Sequence, residues 1–204
     1  MSNPERTYGG ATAGERAARR RSALIDACLD IVAESGVAGL TVRGVCATAR
    51  LNDRYFYESF ASVDELLVAA FDQQTVESST AMVLAIAEAP ADPELRARAA
   101  IGTGLEYLTA DPRRGRLLVE SQATEGLRTR SREVIRSLAK IMADQGRALL
   151  AIPDEQEPDM DLAAWTLVAG GFDLVTGWLR GELDISREHL EDFLVTMVTA
   201  RRAS

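Results

Sequence analysis

One histidine and two cysteines in 204 residues leave little room for metal or nucleophilic chemistry. The histidine, His189, stands in the charged run Arg187-Glu188-His189, where a solvated surface position accounts for it. With no His cluster, no CxxC pair and no HExxH run, no zinc site is readable. Phosphate-loop and dinucleotide-binding signatures are also missing, and Gly102-Thr103-Gly104 falls inside a helical pattern. Ser121 has no histidine to activate it, so Ser–His catalysis has no support. The acids Asp159 and Asp161 are explained by a helix start, where carboxylates complement the macrodipole. A non-enzyme is expected, with no catalytic residues, no metal and no cofactor. Cys28 and Cys46 lie on apolar helix faces and read as reduced buried thiols, as in a cytoplasmic protein. No unbroken apolar run approaches 18 residues, so no membrane span is expected. The residues after Met1 lack the apolar region of a secretory signal.

Aromatic residues are few, at 5 %, while apolar residues make up an ordinary 47 %. Alanine is frequent and β-branched runs are short, which favours helix. The expected fold class is all-α. The net charge of −8 is unevenly spread. Residues 1–60 hold eight Arg against seven acids, a net of +1. The remainder holds fifteen basic and twenty-four acidic residues, a net of −9. The acidity therefore lies outside the first quarter of the chain, and salt screens much of its long-range effect.

Residues 1–14 are polar, glycine-bearing and without period, and read as a disordered arm. Arg16, Arg19, Arg20 and Arg21 follow, leading into a helix whose Leu24, Cys28, Ile31 and Val32 form one buried stripe. Gly36 stops it. Ser62-Val63-Asp64-Glu65 reads as a capping box opening a helix to about Glu88, with Leu66, Leu67, Ala70 and Phe71 on its apolar side. Asp92-Pro93 and Asp111-Pro112 each place a capping acid before a first-turn proline, opening helices over about 93–109 and 112–122. A long helix follows at about 127–150, then an acidic loop over 152–158. Asp159 is expected to cap a helix over about 160–183, and Ser186 the last one.

The stretch Thr41–Phe60, TVRGVCATARLNDRYFYESF, organises the rest. Val42, Val45 and Cys46 give the spacing of a first short helix, and Ala49-Arg50-Leu51 breaks it. Asn52 is a good cap for a second helix, on which Phe56 and Phe60 turn inward together. A short helix pair with polar and aromatic side chains on the second helix suits the DNA major groove.

The run Leu51-Asn52-Asp53-Arg54-Tyr55-Phe56-Tyr57-Glu58-Ser59-Phe60, followed by Asp64-Glu65-Leu66-Leu67, resembles the recognition-helix signature of the TetR family of bacterial transcriptional regulators. The likeness covers about residues 20–70, and beyond them only length and helical pattern match. It departs from the family pattern at Arg50, where relatives often have Gly, and at Asp53 and Arg54, where they often have a basic and a small residue. The resemblance implies about nine helices in three segments. These are an arm over 1–15, a helix-turn-helix domain over 16–62, and a ligand-binding and dimerisation domain over 63–204. It implies a repressor, released from a palindromic double-stranded operator by a small-molecule effector. Arg19, Arg20, Thr41, Arg43, Asn52, Asp53, Arg54, Tyr55, Tyr57 and Glu58 are then the DNA-binding residues. The pocket is expected among central helices, with Tyr107, Leu118, Gln122, Met142, Trp165 and Phe172 as lining candidates. The last two helices have apolar positions on more than one side, and Gly170, Gly171 and Gly177 permit close approach. With the resemblance, this implies a homodimer through Phe172, Leu179, Phe193 and Met197. Two alternatives stay open: a helical carrier or enzyme with a vestigial helix-turn-helix, or a dimeric regulator that senses no ligand.

Overall fold

The computed structural model describes residues 12–150 and 157–200. Among the described residues there are nine α-helices, one 3-10 turn and no strand, so the structure is all-α. The helices are α1 (Ala13–Ser35), α2 (Val42–Ala49), α3 (Asp53–Ser59), α4 (Val63–Glu88), α5 (Pro93–Ala110), α6 (Pro112–Val119), α7 (Glu125–Leu150), α8 (Glu157–Leu179) and α9 (Arg187–Thr199). The 3-10 turn is Val37–Gly39. The chain forms two compact units, one through Ala70 and one from Phe71, so the division falls inside α4.

In the first unit, α1 begins earlier than its apolar stripe. Thr12 caps it: the Thr12 Oγ1 accepts from the Glu15 N–H at 3.2 Å, and the Thr12 N–H donates to Glu15 Oε2 at 2.6 Å. This capping box corrects the expected arm, which ends before Ala13 rather than after residue 15. Residues 1–11 of that arm lie outside the described residues. The correction removes an electrostatic conflict. Arg19, Arg20 and Arg21 lie about two turns into the helix, away from its positive N-terminal end. From α1, Leu24, Ala27, Cys28 and Val32 are buried; α2 packs onto them with Val45 and Cys46, and α3 with Phe56. Phe60, Leu66, Leu67 and Ala70 complete this core. Each fully buried Leu or Phe contributes roughly 1.5–3 kcal/mol relative to exposure.

In the second unit, α7 packs on α8, α5 on α9, and α6 on both α5 and α8. Leu105, Leu117, Leu127, Ala139, Ala143, Ala164, Leu190 and Val195 are its buried apolar residues. Asp92 and Asp111 cap α5 and α6 as expected, their carboxylates accepting from the N–H of Leu95 and Arg113. Ser186 caps α9. The Asp159 expectation fails, because α8 starts at Glu157 and Asp159 lies within its first turn. Of the acidic loop, residues 152–156 lie outside the described residues. α8 also ends before residue 183. Gly181, at φ 74°, turns the chain left-handed, and the N–H groups of Gly181 and Glu182 return to the carbonyls of Trp178 and Gly177. That stop overrides the apolar spacing that continued to Leu183.

Ion pairs link the helices of this unit: Arg98 with Asp192 and Glu191, Arg187 with Glu106, and Arg147 with Asp161. At this exposure such pairs add little to stability, because solvent screens them. The segment Asp159–Leu179 is long and apolar enough, by length and composition alone, to cross a membrane. Asp161 and Asp173 interrupt it, so it holds no unbroken apolar run of that length.

Candidate nucleic-acid interface

Residues Thr41–Phe60 build the site through local chemistry. Thr41 caps α2, its Oγ1 accepting from the Gly44 N–H at 3.1 Å. Arg50 ends α2 in the left-handed region, at φ 54° and ψ 40°, the one non-glycine residue with positive φ among those described. The Arg50 N–H donates to the Ala47 carbonyl at 3.2 Å and the Leu51 N–H to that of Cys46 at 2.9 Å. These bonds close a tight turn, and Asn52 starts α3 at once, its Oδ1 accepting from the Tyr55 N–H at 3.2 Å. The inward side of α3 is fixed by Phe56, fully buried and 6.0 Å from the Phe60 ring, with Tyr57 edge-on to it at 5.4 Å. The outward side is thereby set.

That side carries Asp53, Arg54, Tyr57 and Glu58, all exposed. The Arg54 side chain is 83 % exposed and Tyr57 is 62 % exposed, an unusual position for a large ring beside the buried Phe56 and Phe60. Arg54 Nε donates to Glu58 Oε1 at 2.9 Å. From α1, Arg20 lies over the Tyr55 ring at 4.4 Å and reaches Glu58 Oε2 at 3.8 Å. Arg20, Arg54, Tyr55 and Glu58 therefore form one cluster. Arg19 and Arg43 are exposed and outside it. Thr41 and Asn52 are exposed, but both spend a side-chain oxygen on a helix cap. Arg21 stacks over Phe60 at 4.3 Å, a contact the sequence reading did not foresee.

Burial pushes the Cys46 thiol above its usual pKa, and a hydrogen bond to the Asp53 carboxylate adds to it. Burial pushes Cys28 up to about 12. Both thiols stay protonated near neutrality, which makes them poor nucleophiles.

The six expected effector residues have different surroundings. The Tyr107 hydroxyl donates to Glu77 Oε2 at 2.7 Å, and Arg114 lies over its ring at 4.1 Å. Burial and that carboxylate both raise the Tyr107 pKa. Glu77 and Arg114 were not among the expected residues; they lie on α4 and α6, which spacing within α5 cannot reveal. Leu118, Met142 and Phe172 are half-buried, on α6, α7 and α8. Gln122 is exposed in the turn after α6. Trp165 is 43 % exposed and shares an outward side of α8 with Leu162. Of the expected dimer residues, Phe193 and Met197 are exposed on α9 at 48 % and 45 %. Leu179 instead packs within the unit, its Cδ2 lying 3.2 Å from the position a Cβ would take on Gly115. Around Gly170 a Cβ would meet nothing within 4 Å, while Gly171 faces Leu194 of α9. Among the described residues no three His, Cys, Asp or Glu side chains gather into a metal-holding group.

No protein-family model and no curated protein matches this chain. Solved structures do. The transcriptional regulator FadR from Bacillus subtilis, in complex with stearoyl-CoA, superposes with a TM-score of 0.73 at 20 % identity, covering 88 % of this chain and 98 % of that one. A TetR-like transcriptional regulator from Rhodococcus sp. RHA1 gives 0.65 at 21 % identity, covering 88 % and 93 %. The multidrug binding protein EbrR, complexed with imidazole, gives 0.64 at 22 % identity, covering 90 % and 97 %. At these identities the shared property is the three-dimensional arrangement, over nearly the whole of each chain. The protein has the fold of the TetR family of transcriptional regulators.

Proposed function

We propose that this protein is a dimeric, effector-responsive DNA-binding regulator and not an enzyme. The observation that carries this reading is the outward side of α3. Arg54 and Tyr57 project from a short helix whose inner side is locked by Phe56 and Phe60. A helix presented in this way fits the major groove and reads base edges with its N-terminal residues. In this reading DNA binding belongs to the unit through Ala70, from α1 onward, and effector binding and dimerisation to the unit from Phe71. The role is repression, and the setting is the cytoplasm, with no membrane partner.

The dimer surface in this reading is formed by α8 and α9: Leu162 and Trp165 are exposed on α8, where a Cβ on Gly170 would meet nothing within 4 Å, and Phe193 and Met197 are exposed on α9. Packing two helices from each chain into a four-helix bundle would cover these residues. A two-fold dimer reads a palindrome, with its recognition helices about 34–36 Å apart. The fold relatives in complex with stearoyl-CoA and with imidazole favour a small-molecule effector, and Tyr107, Leu118, Met142 and Phe172, each half-buried, are the candidates for lining its site. Effector and operator then oppose each other reciprocally, each weakening the other by the same factor.

The test is selection from random duplex DNA by the purified full chain. Enrichment of a two-fold symmetric sequence is the expected result. Failure to enrich any sequence, with the protein folded and dimeric, would sink the reading in favour of a carrier with a vestigial helix pair.

A further inference from the structure

Glu58 is an acid on the side of α3 proposed to meet a polyanion, which calls for a reason. Its two carboxylate oxygens serve different cations. Oε1 accepts from Arg54 Nε at 2.9 Å, and Oε2 lies 3.8 Å from Arg20 Nη2. Arg54 is one helical turn before Glu58 on α3, whereas Arg20 comes from α1. The two arginines differ in freedom. Arg20 is 26 % exposed and held over the Tyr55 ring, while Arg54 is 83 % exposed.

A guanidinium has five N–H donors in a fixed plane. Glu58 uses the Nε–H of Arg54, which leaves the two terminal amino groups as a fork facing outward. A guanidinium fork pairs with the O6 and N7 of guanine. Held at Nε, Arg54 loses part of the side-chain freedom it would otherwise surrender on binding. Held by both carboxylate and ring, Arg20 is less available to phosphates, which would have to displace both contacts.

Resting on the DNA-binding reading above, we propose that Glu58 is a positioning residue for specificity: it presents the Arg54 fork to a guanine and withholds Arg20 from sequence-independent phosphate contact. It touches no base itself. An alternative role, in which Glu58 accepts from a cytosine amino group, makes a different prediction, because that role would not need Arg54.

The experiment repeats the selection from random duplex DNA with the full chain as wild type, Glu58→Ala, Glu58→Gln, Arg54→Ala and Arg54→Ala/Glu58→Ala. Helical content by circular dichroism confirms that each is folded. The wild type should select a guanine in each half-site that Arg54→Ala no longer selects. Glu58→Ala should reduce preference for that guanine about tenfold, as expected for loosening one bidentate contact. Glu58→Gln should keep the preference, because its amide oxygen still accepts from Nε. The double variant should match Arg54→Ala. Binding to random duplex should tighten in both Glu58 variants, with a salt dependence steeper by about one phosphate contact. Undiminished guanine preference in Glu58→Ala would overturn the proposal. So would a wild-type site without an Arg54-dependent guanine, or a Glu58→Ala effect that persists when Arg54 is absent. A wild type that selects nothing would overturn the DNA-binding reading itself, whereas any of the former results would leave that reading standing.

Discussion

The two units handle their apolar side chains in opposite ways. The first, through Ala70, buries Leu24, Cys28, Val32, Val45, Phe56 and Phe60 almost completely, and among its described residues only Tyr57 is a large exposed apolar group. The second leaves Val76, Val83, Leu84, Leu95, Ile141, Leu162, Trp165, Phe193 and Met197 exposed. A small unit that closes its own core has its exposed residues free for recognition, and here those include Arg54 and Tyr57. In the larger unit the exposed apolar residues fall on α4, α5, α7, α8 and α9, and those of α8 and α9 form the surface proposed for assembly. Exposure is therefore read differently in each unit: as the proposed reading surface in the first and as the proposed assembly surface in the second.

The largest effect should come from breaking the second surface. Phe193→Glu places a charge where the proposed bundle closes, at an expected cost of about 3–5 kcal/mol to association. The variant should be a helical monomer with little operator affinity, as read by sedimentation velocity, circular dichroism and fluorescence anisotropy. An intact dimer would move Phe193 out of the interface. Next is the reading surface itself. Arg54→Ala should cost about 1–3 kcal/mol on the selected operator and far less on random DNA. Arg19→Ala should instead weaken both alike and flatten the salt dependence. Equal losses for Arg54→Ala on both DNAs would remove it as a base reader.

Smaller effects sharpen the contrast within each unit's own packing. Gly115→Ala in α6 would bring a Cβ to 3.2 Å from both the Leu108 carbonyl oxygen and Leu179 Cδ2. The backbone oxygen cannot step aside, so thermal unfolding should show a loss of about 1 kcal/mol despite alanine's better helix propensity. The smallest change is a gain. Arg50 holds a left-handed conformation at φ 54° that glycine adopts without strain. Arg50→Gly should stabilise the chain by about 0.5–1 kcal/mol, less than the full strain because glycine also frees the unfolded chain. A loss of stability in urea titration would mean that the Arg50 side chain makes a compensating contact.

Much of this was legible in the sequence where one local signal decides the outcome. Asn52, Asp92, Asp111 and Ser186 cap their helices because a short polar side chain there satisfies a backbone N–H that nothing else reaches. The left-handed Arg50 stands where the resembled family often has glycine, which fits its positive φ. Thr12-x-x-Glu15 carries the same kind of signal, but it closely follows Gly9-Gly10, whose composition reads as an arm. The end of α8 is not legible from periodicity, which continues through Gly181, whose positive φ outweighs spacing. Contacts between helices distant in sequence were not legible. Arg20 on Tyr55, and Glu77 with Arg114 around Tyr107, depend on how helices pack, which no single helix encodes.

The central claim is that the second unit is completed by a second copy of the chain. Sedimentation velocity of the wild-type protein, across micromolar concentrations and without DNA or added effector, tests it directly. The account predicts a single species at twice the chain mass that persists on dilution and collapses to the single-chain mass in Phe193→Glu. A wild type that sediments as one chain throughout that range would contradict it.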